Sequence, residues 1–581
     1  MIVLKRLVDR LPVRATVLIA VACVAGGVAL TLRPFTSVEV LVLLAGINAV
    51  LTGVLALASP DAQSSAHRWL VGGGWIVLGA VILAWPGLTV GALAVLIGLG
   101  LVAHGLVDVA GGVTGRVDGE RSVAILEGLT AIVFGVLALA WPDVTVLIVA
   151  VLFGARTVLF GLSQLVSLFS RRSAVPADDA PALQGGRLRS TFRVASRVVG
   201  LVIAVGLLAL SVVLHDDGRT VSAFYDTPAE IPETPGELLR TEAYDTGIPE
   251  NAQAWLIMYS TQTSLGAPTV ATAVVLAPKE LPSGPRPLVA WTHGTVGIDR
   301  RCAPSLSDGP FADLPIGPLL DNGWVMVATD YAGMGTVGAS SYLIGTGQAY
   351  STLDSIRAAK QMPELSLSDD TAIWGHSQGG HAALWTGILA DTYAPEIMID
   401  GVAALSPATD LPAMSKAVQG QLGGALGSAY VITAYSETYD DVHFDDYVRP
   451  GASVEVREAS KRCLSDPALL MSIITSLPAT QSVFSADPTT GAAGRRLVEN
   501  TPSALITAPL LVAQGTGDEV IPFSITEDWV AQRCAAGQHL EFVPYPDLTH
   551  MGVLQPDSGL PDKLISWTAD RFAGEPPGPT C

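Results

Sequence analysis

The chain has 581 residues, of which half are hydrophobic and only 15% are charged, and its mean hydropathy is +0.46. An ordinary soluble protein carries about 25% charged residues, so this composition excludes a wholly soluble protein and a disordered one. Residues 1–214 hold 15 Lys and Arg against 10 Asp and Glu, whereas the rest of the chain holds 18 against 43. So acidic a C-terminal half would repel nucleic acid, which excludes that class of partner.

Six apolar stretches, each long enough to cross a bilayer, occupy the first 170 residues. Pro34, Pro86 and Pro142 each follow the first stretch of a pair, where a proline suits a turn because it cannot continue a helix. Trp85 and Trp141 stand where an aromatic belt would lie. The pattern predicts an all-α bundle of six membrane helices in three two-helix repeats, with spans near 15–32, 38–58, 69–85, 88–109, 123–141 and 144–168.

Two stretches of this region carry a family resemblance: LGAVILAWPGLTVGALAVLIGLGLVAHGLVDVAGG and VFGVLALAWPDVTVLIVAVLFGARTVLFGL. They resemble the HdeD-like family of small membrane proteins, over residues 14–169. The resemblance implies a six-helix membrane domain, assigned to residues 1–170, with a link to acid resistance and no enzymatic motif.

Four polar residues fall inside the predicted spans. Arg156 and Asn48 occupy equivalent places in two repeats, and His104 and Asp108 share one helix face. Ionisable groups within a membrane are functional candidates. Hydrogen bonding between helices, or snorkelling toward the interface, is the commoner structural explanation, and no transport path is predicted.

The basic residues predict the orientation of the bundle, because short cytoplasmic loops are enriched in Lys and Arg. Only Arg33 falls on the opposite side. The N-terminus is therefore expected in the cytoplasm, on the side that carries Lys5, Arg6, Arg10, Arg14, Arg68, Arg116, Arg121, Arg171 and Arg172.

A polar segment, residues 171–193, is predicted to be a disordered cytoplasmic linker. The apolar run 198–214 then predicts a seventh span, which would place residues 216–581 outside the cell membrane. A cleaved internal signal sequence is the alternative. Because no small-x-small cleavage site follows the run, an uncleaved anchor is expected.

Four of the five cysteines lie in the exported half, namely Cys302, Cys463, Cys534 and Cys581. An even number in an oxidising compartment suggests two disulfides. The sequence offers no C-x-x-C pair and no histidine cluster, so no metal site is predicted.

Residues from about 287 onward alternate short apolar runs with helix-compatible segments, which predicts an α/β fold with a mostly parallel sheet. Within it, Gly375–Gly379 form a G-x-S-x-G motif after a strand and before a helix. Such a turn exposes the serine hydroxyl, and the glycines leave room for neighbouring backbone. Ser377 is therefore the predicted nucleophile.

The acid and the base of such a site should follow in that order. Asp518 stands just beyond a predicted strand, and His550 follows 32 residues later. Asp410 is the rival acid. His539 and His443 are rival bases that lack the loop context.

Two backbone N–H groups should stabilise the oxyanion. One is that of Gln378, directly after the nucleophile. The other should come from the loop at His293–Thr295, where Gly294 allows close approach to the substrate. His293 itself is expected to hold this loop rather than take part in catalysis.

Residues 224–575 resemble the secretory lipase family, the fungal lipase A type of α/β hydrolase. The resemblance implies that Ser377, Asp518 and His550 form the triad, that Cys302 pairs with Cys463, which leaves Cys534 for Cys581, and that residues from about 410 to 507 form a helical lid. A rigid cap is the alternative to a mobile lid. The features that carry the resemblance are Phe224, Tyr225, Pro228, His293–Thr295, Cys302–Ser305, Thr329–Gly333 and Gly375–Gly380.

These observations predict a membrane-tethered, extracellular serine ester hydrolase that acts on lipid or acyl esters without a cofactor. It is held in the bilayer by seven helices. An acyltransferase or a peptidase with the same triad is one alternative. A non-enzymatic membrane stress protein with a hydrolase-like domain is the other.

Overall fold

The computed structural model describes residues 13–32, 86–114, 121–170, 186–215 and 220–581, apart from 281–283, 308–309, 312–313, 419–423, 470–471, 473–482, 577 and 579–580, together with single residues between 43 and 84. It divides into two compact units. The helical unit comprises residues 1–217 with 448–458 and 470–483, and the sheet unit comprises the remainder.

The long helices of the helical unit follow the apolar pattern of the sequence. Pro86 and Pro142 each occupy the first position of a helix, where a missing N–H costs nothing. The helices are α1 (Val13–Leu32), α2 (Pro86–Thr114), α3 (Arg121–Ala140), α4 (Pro142–Ser170) and α5 (Gly186–His215).

Two helices in the described part of the chain are long and apolar enough to cross a membrane, Ile97–Thr114 within α2 and Arg121–Ala140. The end of α5 contains a shorter apolar run, Arg197–Val213. Six repeat helices and a seventh anchor therefore stay a prediction. Asn48 and the side chains of His104 and Arg156 lie outside the described residues.

Glycines allow the helices of this unit to pack closely. A Cβ placed on Gly105 would collide with the carbonyl oxygen of Gly128, and one on Gly135 would lie 2.8 Å from that of Gly98. The helices α2 and α3 therefore meet along small residues, as close helix packing in membranes favours. The same relation joins α1 to α4, where a Cβ on Gly161 would lie 2.6 Å from the carbonyl oxygen of Ala20.

The helix α5 corrects one prediction. It begins at Gly186, so the C-terminal part of the predicted linker is helical. Trp141 is 6% exposed and donates from Nε1 to Ser211 Oγ of α5 at 2.7 Å, so it packs against α5, and its place in an aromatic belt stays a prediction. Arg197 forms an ion pair with Glu127 of α3 at 2.8 Å.

The sheet unit contains a nine-stranded sheet in the order β1-β2-β3-β5-β4-β6-β7-β8-β9. Antiparallel pairing joins β1, β2, β3 and β5, whereas β5, β4 and the strands from β6 to β9 are parallel. The α/β fold is confirmed, and its sheet is mixed: three of the eight strand pairs are antiparallel and five are parallel. The strands are β1 (Leu238–Tyr244), β2 (Ala252–Gln262), β3 (Pro268–Pro278), β4 (Arg286–Thr292), β5 (Val325–Thr329), β6 (Leu367–His376), β7 (Gly401–Leu405), β8 (Leu510–Gly515) and β9 (Leu540–Tyr545).

Helices cover both faces of the sheet, which explains why its central strands are apolar throughout. Ile373 of β6 packs in the cluster on one face, and its neighbour Trp374 packs in the cluster on the other. The described helices after β4 are α6 (Ile316–Asp321), α7 (Gly345–Lys360), α8 (Gln378–Tyr393), α9 (Leu411–Ala417), α10 (Gly424–Thr438), α11 (Phe444–Tyr447), α12 (Ser453–Ser460), α13 (Gly491–Glu499), α14 (Phe523–Ala535) and α15 (Leu560–Phe572).

A long insertion separates two neighbouring strands. β7 ends at Leu405 and its parallel partner β8 begins at Leu510, with the helices from α9 to α13 between them in the chain. The predicted cap, about 410–507, falls in this insertion.

Candidate active site

Ser377 occupies a sharp turn between β6 and α8. Its φ is +60° and its ψ −121°, which lies outside the backbone regions that residues other than glycine favour. The two motif glycines are required sterically, because a Cβ on Gly379 would collide with the carbonyl of Thr292, and one on Gly375 with the hydroxyl of Thr292. The turn therefore forms only where glycine flanks the serine on both sides.

Hydrogen bonds hold this strained turn in place. Ser377 N donates to Leu405 O of β7 at 2.9 Å, and His381 N donates to Ser377 O at 3.1 Å as α8 begins. Such backbone strain costs about 1–3 kcal/mol and persists where the surroundings enforce it, as they often do at functional sites.

Asp518 and His550 are hydrogen-bonded to each other at 2.8 Å, from His550 Nδ1 to Asp518 Oδ2. The carboxylate also accepts from the backbone N–H groups of Val520 and Ile521 at 2.9 and 2.8 Å. Burial by itself would raise the pKa of Asp518, but the bond and charge of His550, together with the backbone donors, lower it below its ordinary value. The acid is therefore kept ionised against the imidazole.

Two neighbours fix the backbone of His550. His376, which precedes the serine, donates from Nε2 to His550 O at 3.0 Å, and the two rings lie 4.7 Å apart. Burial, and then the charge of His550, lower the pKa of His376 to about 3, so it stays neutral. On the other side, Glu519 Oε2 accepts from His550 N at 3.1 Å.

The loop after β4 approaches the nucleophile as predicted. A Cβ on Gly294 would lie 3.2 Å from His376 O and 3.6 Å from Ser377 Cβ. Gln378 is the first residue of α8, so its backbone N–H has no partner within the helix. Both residues line the cavity that contains Ser377.

His293 lines the same cavity, and its ring lies between two backbone carbonyls. Its Nδ1 lies 2.7 Å from Gly294 O and its Nε2 lies 3.3 Å from Asp330 O. Burial lowers the pKa of His293 to about 4 despite these two carbonyls. A neutral ring between the two loops fixes the loop that carries Gly294.

Gly294, Ser377, Gln378 and His550 line one cavity of about 630 Å³. Ser377 and His550 line one part of it. Apolar side chains from the insertion line another part, which suits a hydrocarbon chain. They include Leu411, Met414, Val418, Leu426, Val431, Ile432 and Leu497.

The rival residues lie elsewhere. Asp410 Oδ1 accepts from Ala413 N at 2.9 Å and caps the N-terminus of α9. His539 Nδ1 lies 3.3 Å from Cys581 O, and His443 is exposed in the insertion. None of these three residues lines the cavity around Ser377.

Both predicted disulfides are present. Cys302 pairs with Cys463 across 161 residues, and Cys534 pairs with Cys581. The first bond joins the loop after β4 to the insertion. Among the described residues, no group of three or more His, Cys, Asp or Glu side chains could hold a metal ion.

A buried carboxylate network, not predicted from the sequence, surrounds Asp330. Asp330 accepts from Ser305 N at 2.9 Å and Thr272 Oγ1 at 2.6 Å, and Tyr225 OH lies 2.8 Å from Ser305 Oγ. Burial raises the pKa of Asp330 to about 6 despite these donors. Three of the segments that carry the family resemblance meet here, so their co-occurrence was the signal available in the sequence.

Comparison with known proteins gives separate matches to the two parts of the chain. Residues 311–579 match the family model for secretory lipases, and residues 70–129 and 126–179 each match DUF308, a short repeat of unknown function. The second match confirms a repeat within the predicted membrane domain. The HdeD-like resemblance itself stays a prediction.

Similar curated proteins carry lipase names. The "Probable inactive lipase MT1628" of Mycobacterium tuberculosis is 27% identical over 61% of this chain and 82% of its own. Lipase A of Moesziomyces aphidis is 24% identical over 56% of this chain and 75% of its own. The secreted triacylglycerol lipase LIP5 of Malassezia furfur is 27% identical over 53% and 84%.

Among solved structures, Candida antarctica lipase A in its closed state superimposes with a TM-score of 0.54 at 22% identity, over 64% of this chain and 88% of its own. At this identity the likeness shows a shared fold. Residues 311–579 thus match the secretory lipase family model, on a lipase-like α/β hydrolase fold that follows a DUF308 repeat region.

Proposed function

We propose that this protein is a membrane-tethered, extracellular serine ester hydrolase that acts on lipid or acyl esters through Ser377, Asp518 and His550. One observation carries the proposal: His550, which is hydrogen-bonded to Asp518 at 2.8 Å, lines the same cavity as the strained turn at Ser377. The match to the secretory lipase family model supports a lipase-type hydrolase, and the geometry at Ser377, Asp518 and His550 supports these three as the catalytic residues.

The chemistry follows from these positions. His550 accepts the Ser377 proton as Oγ attacks the ester carbonyl, and Asp518 stabilises the imidazolium that forms. The Gln378 N–H and the loop at Gly294 stabilise the oxyanion. His550 then returns the proton to the leaving alcohol, and water hydrolyses the acyl-enzyme. No step needs a cofactor.

The apolar wall of the cavity favours an acyl chain, which supports a lipid or acyl ester as the substrate class. An acyltransferase or a peptidase with the same triad is the second candidate function. Competition between water and glycerol for the acyl group, and an amide analogue of the best ester, distinguish these activities.

A non-enzymatic role is the third candidate, because one relative is named a probable inactive lipase. The decisive experiment uses the full chain in native membranes and a fluorophosphonate probe. We expect labelling of the wild-type protein and of Ser566→Ala, an exposed control on α15, and none of Ser377→Ala. Absence of labelling in the wild type would overturn the enzymatic proposal.

The tether rests on the two candidate spans in α2 and α3 and on the apolar run in α5. With α5 as an uncleaved anchor and the N-terminus in the cytoplasm, residues 216–581 lie outside. External protease, added to cells stripped of their wall, should release an active fragment that begins soon after Asp217. Protection of this fragment until the cells are lysed would contradict the topology.

A further inference from the structure

One formally charged side chain stands out among the described residues that line the cavity. Among the described residues of that lining, Glu519 is the single Asp, Glu, Lys or Arg side chain. A carboxylate without a lining cation leaves a net negative charge at the cavity wall.

Glu519 lies next to the base. Its Oε2 accepts from the backbone N–H of His550 at 3.1 Å, while the preceding Asp518 bonds the ring of the same histidine at 2.8 Å. The two carboxylates therefore occupy different sides of His550. The Glu519 side chain is exposed, whereas Asp518 is buried.

The position relative to the reaction follows from the proposed function, on which this inference rests. His550 delivers a proton to the leaving alcohol, so the alcohol part of the ester must pass beside this residue. Glu519 lines the same cavity as Ser377 and His550, so the group attached to that alcohol shares this cavity with the Glu519 carboxylate. Like charges within one cavity repel, and because the Glu519 side chain is exposed, solvent and salt screen this repulsion.

We propose that Glu519 is a specificity-determining residue that selects esters of neutral or cationic alcohols and discriminates against esters with an anionic group on the alcohol side. The substrate class narrows accordingly to esters such as glycerides, and away from esters whose alcohol carries a phosphate or carboxylate. The hydrogen bond to His550 N provides the structural alternative, in which Glu519 only positions the loop.

The test compares three soluble esters with the full-length protein: phenyl butyrate, 4-carboxyphenyl butyrate and 4-(trimethylammonio)phenyl butyrate. The readout is kcat/KM for each charged ester divided by that for the neutral one. Glu519→Gln keeps an acceptor for His550 N but removes the charge. The matched control is Glu364→Gln, an exposed glutamate before β6 that does not line the cavity.

In Glu519→Gln the ratio for the anionic ester should rise by about threefold to tenfold, and the ratio for the cationic ester should fall, as expected for one unit charge removed at this range. Glu364→Gln should leave both ratios at the wild-type values. Raising the NaCl concentration to about 1 M should raise the anionic ratio of the wild type toward that of Glu519→Gln, because such salt screens charges beyond about 3 Å. This salt effect tests the proposal even if the variant folds poorly.

Equal changes for all three esters in Glu519→Gln would assign Glu519 a positioning role and overturn the proposal, as would ratios that respond to neither the variant nor salt. Hydrolysis of phenyl butyrate that disappears in Ser377→Ala supports the proposed function whichever way the ratios fall. A wild-type protein that hydrolyses none of the three would overturn the hydrolase itself.

Discussion

His376 donates a hydrogen bond from Nε2 to the backbone carbonyl of His550 and packs its ring 4.7 Å from that of the base. The residue before the nucleophile therefore supports the residue that would activate it. Because the acceptor is a carbonyl oxygen, the bond requires the proton on His376 Nε2. Its low pKa keeps this neutral form throughout the physiological range.

This contact predicts a positioning role for His376. His376→Phe keeps a ring against His550 and loses the hydrogen bond, which should lower kcat by roughly threefold to tenfold, the value of one ordinary hydrogen bond. KM should change little, since the substitution leaves the apolar side chains that line the cavity unchanged. Steady-state kinetics on a short-chain ester measures both. A rise in KM with kcat preserved would contradict this role.

The proposed triad predicts a contrast between two aspartates. Asp518→Asn should lower kcat by about 10⁴, because the amide favours the wrong tautomer of His550. Asp410→Asn should leave kcat within about twofold, since an asparagine still caps α9. The same ester assay measures both variants. If Asp410→Asn were the damaging change, the acid would have to be reassigned.

The buried network at Asp330 predicts a pH dependence of stability. The pKa of this carboxyl is about 6 in the folded protein and 3.8 ordinarily, so the folded state binds the proton more tightly. The stability that this carboxyl contributes to the folded state is fully present below about pH 4 and is lost as the pH rises through 6. An asparagine resembles the protonated carboxyl.

Asp330→Asn should therefore gain stability relative to the wild type as the pH rises from 4 to 7. Taking the difference between the two proteins cancels the opposite trend from His293, His376 and His381, whose lowered pKa values favour folding as pH rises. Denaturant unfolding of both proteins at each pH supplies the comparison. A difference that is flat with pH would show that Asp330 stays ionised in the folded protein.

The disulfide Cys302–Cys463 closes a loop of 161 residues, and removal of such a bond from an exported domain typically costs about 2–5 kcal/mol. Cys302→Ser with Cys463→Ser should lower the midpoint of thermal unfolding accordingly. A matched pair, Cys534→Ser with Cys581→Ser, shows what the shorter loop contributes. In denatured, unreduced protein from cells, maleimide should modify Cys23 alone; four or five reactive thiols would place the sheet unit in a reducing compartment.

The glycine contact between α2 and α3 predicts a position-specific effect. Gly105→Leu should disrupt the helical unit, because even a Cβ collides with Gly128 O. Gly100→Leu is the matched control on the same helix, since nothing lies within 4 Å of its Cβ position. Thermal unfolding of the detergent-solubilised protein, followed by size-exclusion chromatography, should separate the two variants. Equal behaviour would mean that α2 and α3 do not pack along these glycines.

How far the sequence predicted the site depended on how local each signal was. Ser377 was predictable because its glycines and flanking elements are adjacent in the chain, and Asp518 and His550 because each follows the end of a strand. Glu519 and His376 stand beside motif residues, yet their hydrogen bonds join segments that only the folded chain brings together. No role was therefore predicted for Glu519 or His376 from the sequence.

The helical unit shows the converse limit. Trp141 ends an apolar stretch, and the same sequence position suits a membrane interface or a helix contact equally well. Its bond to Ser211, 70 residues away in the chain, is a helix contact that no local pattern indicates. The buried network at Asp330 was missed for a similar reason, because its donors Thr272 and Ser305 lie on different segments.

The insertion between β7 and β8 also sets the order in which the machinery comes into existence. Synthesis completes the nucleophile turn at residue 377, but β8 can pair with β7 only after the chain has produced the whole intervening segment up to residue 510. The proposed base, His550, follows the serine by 173 residues. A ribosome-bound chain thus carries its serine for about 170 residues without the partner proposed to activate it. The proposed triad is therefore incomplete until synthesis has passed residue 550.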